Sequence, residues 1–264
     1  MPGFEGKAAI VTGAGQGHGR VVAKRLAHEG AAVLVADIIG ETVEEVAEQI
    51  KKDGGVVVVS VGDLSEYNQA EKAVAKAVET FGHVDILCNV AGIGPRGHFP
   101  NAGKMFWQLS AADWEYDIKH NLYTCFNCCR AVAEHMMKRR YGRILNWGTA
   151  KVLVGVEGSS TMHAAKGAIY TFTKCLALEL APYNITVNNL DSYLALADMD
   201  IRPPMAHLPP KEREAWLAGR IKTIPLGRMG TGDEIAELAA FLVSDRASWI
   251  TGQSICISGG AAVR

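Results

Sequence analysis

Short runs of β-branched and other apolar residues alternate along the chain with longer stretches whose apolar positions recur every three to four residues. The runs "AAIVTG", "AAVLVAD", "VVVVSVGD", "VDILCNVAG", "GRILNW", "ITVNNL" and "SICISGG" read as strands. Between them, "GRVVAKRLAHEG", "GETVEEVAEQIKKDG", "SEYNQAEKAVAKAVETFG" and "GDEIAELAAFLVSD" read as helices, with Gly30 closing the first. Two longer helices are expected, one from about residue 111 to 139 and one from about 160 to 180. Strands alternating with helices of this length predict parallel βαβ units in a doubly wound α/β sheet. Two segments leave the pattern, 94–109 and 191–226, the second carrying Pro203, Pro204, Pro209 and Pro210. Ligands of a doubly wound fold bind beyond the carboxyl ends of the strands, so these excursions are expected to form lids.

Composition narrows the function classes. The chain has 264 residues, 48% of them hydrophobic, enough for one sizeable α/β domain spanning 1–264. Its net charge is −1 and it has no basic stripe, which argues against nucleic acid or an anionic membrane surface as partner. It has no apolar run long enough to span a bilayer. The start, "MPGFEGKAAIVTGAG", runs straight into a strand, so an unprocessed, cytoplasmic protein is expected. The six cysteines are Cys88, Cys125, Cys128, Cys129, Cys175 and Cys256. None has zinc-finger or disulfide-framework spacing; they are expected to be buried thiols in a reducing compartment, and no metal site is expected.

Chemistry enters at the first strand–helix junction. Gly13, Gly15, Gln16, Gly17, His18 and Gly19 follow the strand and open the helix. Glycine permits the tight turn, lets backbone approach a pyrophosphate and lets helix pack on strand, while the helix N-terminus offers N–H groups and a positive dipole end. Asp37 closes the second strand about 20 residues on, where a carboxylate accepts hydrogen bonds from ribose hydroxyls and repels a 2′-phosphate. Ile38 and Ile39 follow it rather than arginine, so NAD is expected over NADP.

Thr12-Gly13-x-x-x-Gly17-x-Gly19 resembles the signature of the short-chain dehydrogenase/reductase family, and the resemblance extends over nearly the whole chain. Asp63 and Leu64 fit its adenine-ring position. Asn89-Val90-Ala91-Gly92 fits its N-N-A-G run, which supports the central sheet, and Asn89, Ala91 and Gly92 are included with the cofactor-binding residues. Trp114 and Asn121 fit its helix with the catalytic Asn, and the stretch from Gly227 to Gly260 resembles its C-terminal end. The resemblance implies a single Rossmann-type domain with a seven-stranded parallel sheet in the order 3-2-1-4-5-6-7, assembled as a dimer or tetramer.

The family moves a hydride between nicotinamide and a carbinol carbon, with a Tyr moving the proton, a Lys lowering its pKa and binding ribose, a Ser holding the substrate oxygen, and an Asn positioning water. Asn121 and Lys166 are present, and Thr149 stands at the Ser position. The Tyr position is Met162, whose thioether has no proton to give. Ser192 and Tyr193 stand at the family's Pro-Gly pair, Ala197 near its carboxamide-binding Thr, and Ser258 where Asp is usual. Tyr193 is the leading substitute phenol, with His98 and Asp191 in reserve. His163 is one helical step from Met162 and is expected to turn away from Lys166. Tyr170 is expected at an interface.

An intact adenosine end beside a degraded nicotinamide end gives three readings. The first is an inactive or weakly active companion subunit in a hetero-oligomer with an active dehydrogenase subunit of the same family. The second is an active NAD-dependent oxidoreductase acting on a secondary alcohol or ketone through another donor, Tyr193 or a water on Lys166. The third is a non-redox enzyme or NAD sensor on the same scaffold. Arg202, Lys211, Arg213 and Lys222 in the second excursion are candidates to meet a carboxylate or phosphate.

Overall fold

Seven parallel strands among the described residues build one sheet: β1 (Ala8–Thr12), β2 (Ala32–Asp37), β3 (Val57–Val61), β4 (Ile86–Asn89), β5 (Gly142–Thr149), β6 (Ile185–Ser192) and β7 (Ser254–Ile257). Their order is β3-β2-β1-β4-β5-β6-β7. The structure is a computed structural model and describes residues 3–92, 100–193, 195 and 209–262. Helices α1 (Gly17–His28), α2 (Gly40–Lys52), α3 (Tyr67–Phe81), α4 (Ala111–Ile118), α5 (Thr124–Arg139), α6 (Ser160–Leu180), α7 (Pro210–Ile221) and α8 (Gly232–Val243) flank the sheet or lie at its edge.

The continuous apolar runs are strands buried on both faces, as a parallel sheet requires. Successive side chains alternate between faces: Ala9 and Val11 of β1 pack with Leu26 of α1, Val43 of α2 and Leu242 of α8. Ile10 points the other way, among Val74 of α3, Val132 of α5 and Ile169 of α6. The helical spacing is as direct; Val43, Val46, Ala47 and Ile50 form the buried stripe of α2. Full burial of side chains of this size contributes about 1.5–3 kcal/mol each.

Asn89 of β4, Asn146 of β5 and Thr173 of α6 form a buried hydrogen-bonded chain. The Asn89 amide donates to Asn146 Oδ1 at 2.9 Å, and the Asn146 amide donates to Thr173 Oγ1 at 2.9 Å. Cys129 Sγ, from the Cys-x-x-Cys-Cys run, accepts from Asn89 at 3.1 Å. Burial pushes the neighbouring Cys88 thiol up to about 12.

The observed elements differ from expectation in three places. The expected helix over 111–139 is interrupted by a π-helical turn, Lys119–Tyr123, between α4 and α5. The widened turn carries Asn121, whose side-chain amide donates to the Asp117 carbonyl at 2.9 Å. The wide turn shifts the helical phase at a single point, while the stretches on either side each keep a helical apolar spacing, so periodicity alone reads one continuous helix. Strands β5 and β6 run two residues beyond their expected ends, to Thr149 and Ser192, because each continues to pair with the other there. Cys175 is exposed and Cys256 half-buried, against the expectation of buried thiols; Cys175 lies on the outer face of α6. No helix among the described residues is long and apolar enough to cross a membrane.

Candidate functional site

The sheet order reverses between β1 and β4, and their carboxyl ends open a crevice. Gly13 turns out of β1 with φ +63°, and a Cβ there would come within 2.9 Å of the Ala91 backbone beyond β4. Thr12 ties the two loops: its hydroxyl accepts from the Ala91 amide at 3.0 Å and donates to the Cys88 carbonyl at 3.4 Å. Gln16, at the N-cap of α1, makes no side-chain capping bond, and Gly17 and Gly19 of the first turn line the crevice. An uncapped helix start at a crevice wall is suited to a phosphate.

Asp37 is buried at the end of β2 with its carboxylate held from both sides. Its Oδ2 accepts from the Gly15 amide at 2.9 Å and its Oδ1 from the Ile39 amide at 3.1 Å. Gly15 thus orients the acid rather than lining the crevice itself. Ile38, Asp63 and Leu64 continue the wall. Asp63 is fixed by accepting from the Ser65 hydroxyl at 2.6 Å, and Asn127 clamps this turn by donating to the Leu64 and Ser65 carbonyls. Asn89 is not among the crevice residues; its amide is spent on Asn146 and Cys129 inside the sheet, so its place is behind the site.

Four side chains meet at the other end of the crevice. Asn121, Thr149, Met162 and Lys166 line one cavity of about 620 Å³, together with the glycine loop and Asp37. The Lys166 ammonium is buried and donates to the Trp147 carbonyl at 2.8 Å. Burial lowers its pKa to about 8, partly opposed by Cys125 and Asp191. Gly92 leaves it room, since a Cβ there would lie 2.6 Å from Nζ and 3.5 Å from Asn121 Oδ1. That Asn121 oxygen is buried with no hydrogen-bond partner among the described residues. The Thr149 hydroxyl accepts from the Lys151 amide at 3.4 Å, which leaves its O–H for a ligand oxygen. Met162 presents a thioether where a proton donor is expected.

The facing wall explains several departures from the family pattern as mated pairs. The Trp147 indole donates to the Ser192 hydroxyl at 3.1 Å, so a residue of β5 and one of the Ser192-Tyr193 pair satisfy each other. Gly148 is required by Asp191, because a Cβ at 148 would land on the buried Asp191 carboxylate. Ser258 closes the last turn by accepting from the Ala262 amide at 3.3 Å.

Tyr193 does line the cavity, but its hydroxyl pairs at 3.2 Å with Thr223, which does not. His163 also lines the cavity. Its Nδ1 bonds to the Ser159 carbonyl at 2.8 Å, back along the helix, and burial lowers its pKa. Its Nε2 is buried with no hydrogen-bond partner among the described residues. Tyr170 lies beneath the Lys174 ammonium, 4.8 Å from the ring centroid. His98, Ala197 and Arg202 fall outside the described residues. Sequence reasoning missed Lys151, Trp216 and Arg220, which all line the cavity.

The uncapped α1 start, the fixed Asp37 carboxylate, the glycine-made space and the partnerless Asn121 oxygen together fit a nicotinamide dinucleotide. Comparison with known proteins agrees. The family described as enoyl-(acyl carrier protein) reductase matches residues 13–262. The chain belongs to the short-chain dehydrogenase/reductase family, oxidoreductases that bind a nicotinamide cofactor. It is 34% identical to the 3-oxoacyl-acyl-carrier-protein reductase of Thermotoga maritima, over 98% of this chain and 99% of that one. It is 32% identical to a subunit of the hydroxy(phenyl)methylsuccinyl-CoA dehydrogenase of Thauera aromatica, over 98% of this chain and 97% of the relative. The solved structure of levodione reductase superposes with a TM-score of 0.90 at 28% identity, over 98% of each chain.

Proposed function

We propose that the chain is an active NAD-dependent oxidoreductase interconverting a secondary alcohol and a ketone, with Lys166 in place of a tyrosine as the source and sink of the proton. The observation that carries this reading is the buried Lys166 ammonium, pKa about 8, in one cavity with Thr149, Asn121 and the dinucleotide loop. A group titrating near the working pH is suited to general acid–base work, typically worth about 10²–10⁴ in rate. Asp37, with no arginine after it, supports NAD as the cofactor.

When bound, NAD supplies the hydride acceptor or, reduced, the hydride donor. Thr149 holds the substrate oxygen through its free O–H. As the carbinol C–H bond breaks, the hydroxyl proton passes through a water to the neutral amine of Lys166; in the reverse direction the ammonium returns it. Asn121 Oδ1 accepts from that water and keeps it in place. Tyr193 forms a wall rather than a donor, since its hydroxyl is paired with Thr223, which is not a lining residue. Helix α7 acts as a lid, supplying Trp216 and Arg220 to the cavity wall.

One observation favours a second reading. Met162 removes the family's proton donor, and one relative is a subunit of a dehydrogenase. On this reading the chain is a companion that binds NAD without turning over. Calorimetric titration with NAD and NADPH, for the native chain and Met162→Tyr, tests both readings. Micromolar NAD binding, at least tenfold tighter than NADPH, with turnover already in the native chain supports the first. NAD binding with turnover only in Met162→Tyr replaces it by the second.

A further inference from the structure

Lys151 and Arg220, from different elements, both line the cavity that holds Thr149. Lys151 sits in the 3-10 turn Ala150–Leu153, two residues beyond Thr149, and is half-buried. Arg220 ends the lid helix α7, its guanidinium 5.3 Å from the centre of the Trp216 ring. The Lys151 ammonium lies 5.6 Å from the centre of the Tyr193 ring. All four side chains line the cavity.

Among the described residues, neither cation has a carboxylate at ion-pair distance. Glu157 also lines the cavity; it is exposed and forms no ion pair with either cation among the described residues. The two cations are close enough to disfavour each other; after burial, Arg220 is the larger cause of the lowered Lys151 pKa. A half-buried ammonium beside a second cation, with no carboxylate at ion-pair distance among the described residues, is unfavourable in the cavity. An anion between them relieves both terms. The planar guanidinium suits a carboxylate in particular, by paired N–H donation.

We infer that the substrate is an alcohol or ketone that also carries a carboxylate, bound between Lys151 and Arg220 with its reacting oxygen on Thr149. The inference rests on the oxidoreductase reading for the reacting oxygen, but the anion site itself is independent of turnover. Trp216 and Tyr193 enclose the carbon skeleton between the two cations.

The test is calorimetric binding to the NAD-loaded protein of lactate and 3-hydroxybutyrate, each beside its uncharged amide, with inorganic phosphate as a third arm. At least one acid is expected to bind tenfold or more tightly than its amide, and more tightly than phosphate. In Lys151→Met and in Arg220→Met this preference is expected to fall below threefold, and in Lys151→Arg to persist. An equal affinity for acids and amides, a preference unchanged in both methionine variants, or phosphate as the tightest ligand overturns the inference. Acid preference without any turnover leaves the anion site standing and removes only the oxidoreductase reading.

Discussion

The Trp147 indole N–H donates to the Ser192 hydroxyl at 3.1 Å across adjacent strands, a buried pair made with a residue that stands at the family's Pro-Gly position. Removing the hydroxyl strands an indole N–H away from water. Ser192→Ala is therefore expected to lower stability by about 1–3 kcal/mol. Trp147→Phe loses the same bond, and the double variant should cost less than the sum of the two singles. Urea unfolding of the four proteins checks this; strict additivity contradicts it.

Gly148 and Asp191 are coupled by space. Gly148→Ala sets a methyl group on the Asp191 carboxylate and is expected to destabilise by at least about 1–3 kcal/mol. The same change in an Asp191→Ala background should cost markedly less. Thermal unfolding of the pair of variants decides, and an equal cost in both backgrounds refutes the contact.

Much of this was legible in the chain, for reasons that differ by residue. The strand order followed from the family resemblance, and the strands and helices from apolar runs such as "AAIVTG" and the Val43–Ile50 stripe. The phosphate loop and Asp37 were legible because short-range backbone constraints fix them. What escaped the sequence depends on distant partners. The π turn at Asn121 shifts the helical phase at a single point, the ring of His163 bonds back to the Ser159 carbonyl, and Lys151 and Arg220, 69 positions apart, meet only in the folded cavity. Tyr193, a candidate from the sequence, lines the cavity, but nothing local announces that its hydroxyl pairs with Thr223.

Gly13→Ala is expected to cost stability and dinucleotide affinity together. The φ of +63° disfavours any side chain, and the new methyl group would press on Ala91. NAD titration should show at least a tenfold loss of affinity; an unchanged affinity contradicts the assignment of this turn to the cofactor.

Lys166 gives a pH dependence of defined sign. Its folded pKa, about 8, lies below the ordinary lysine value of 10.5, so between these values the unfolded chain binds more protons. Lys166 therefore opposes folding below pH about 8, and its contribution to stability rises with pH from there toward 10.5. Lys166→Met is expected to flatten that rise in urea-unfolding free energies measured across this range. Ketone reduction, which needs the ammonium, should fall as pH passes about 8, while alcohol oxidation should rise.

The central claim is that proton transfer runs through Lys166 in a chain that lacks the family's tyrosine. Steady-state NADH formation by the purified chain alone, on a panel of hydroxy acids, tests it beside Lys166→Met and Met162→Tyr. The account predicts measurable turnover by the native chain, at least a hundredfold loss of kcat in Lys166→Met with NAD affinity reduced far less, and a gain in Met162→Tyr. Turnover undiminished in Lys166→Met, or a native chain that binds NAD and stays inert until Met162→Tyr, would contradict it.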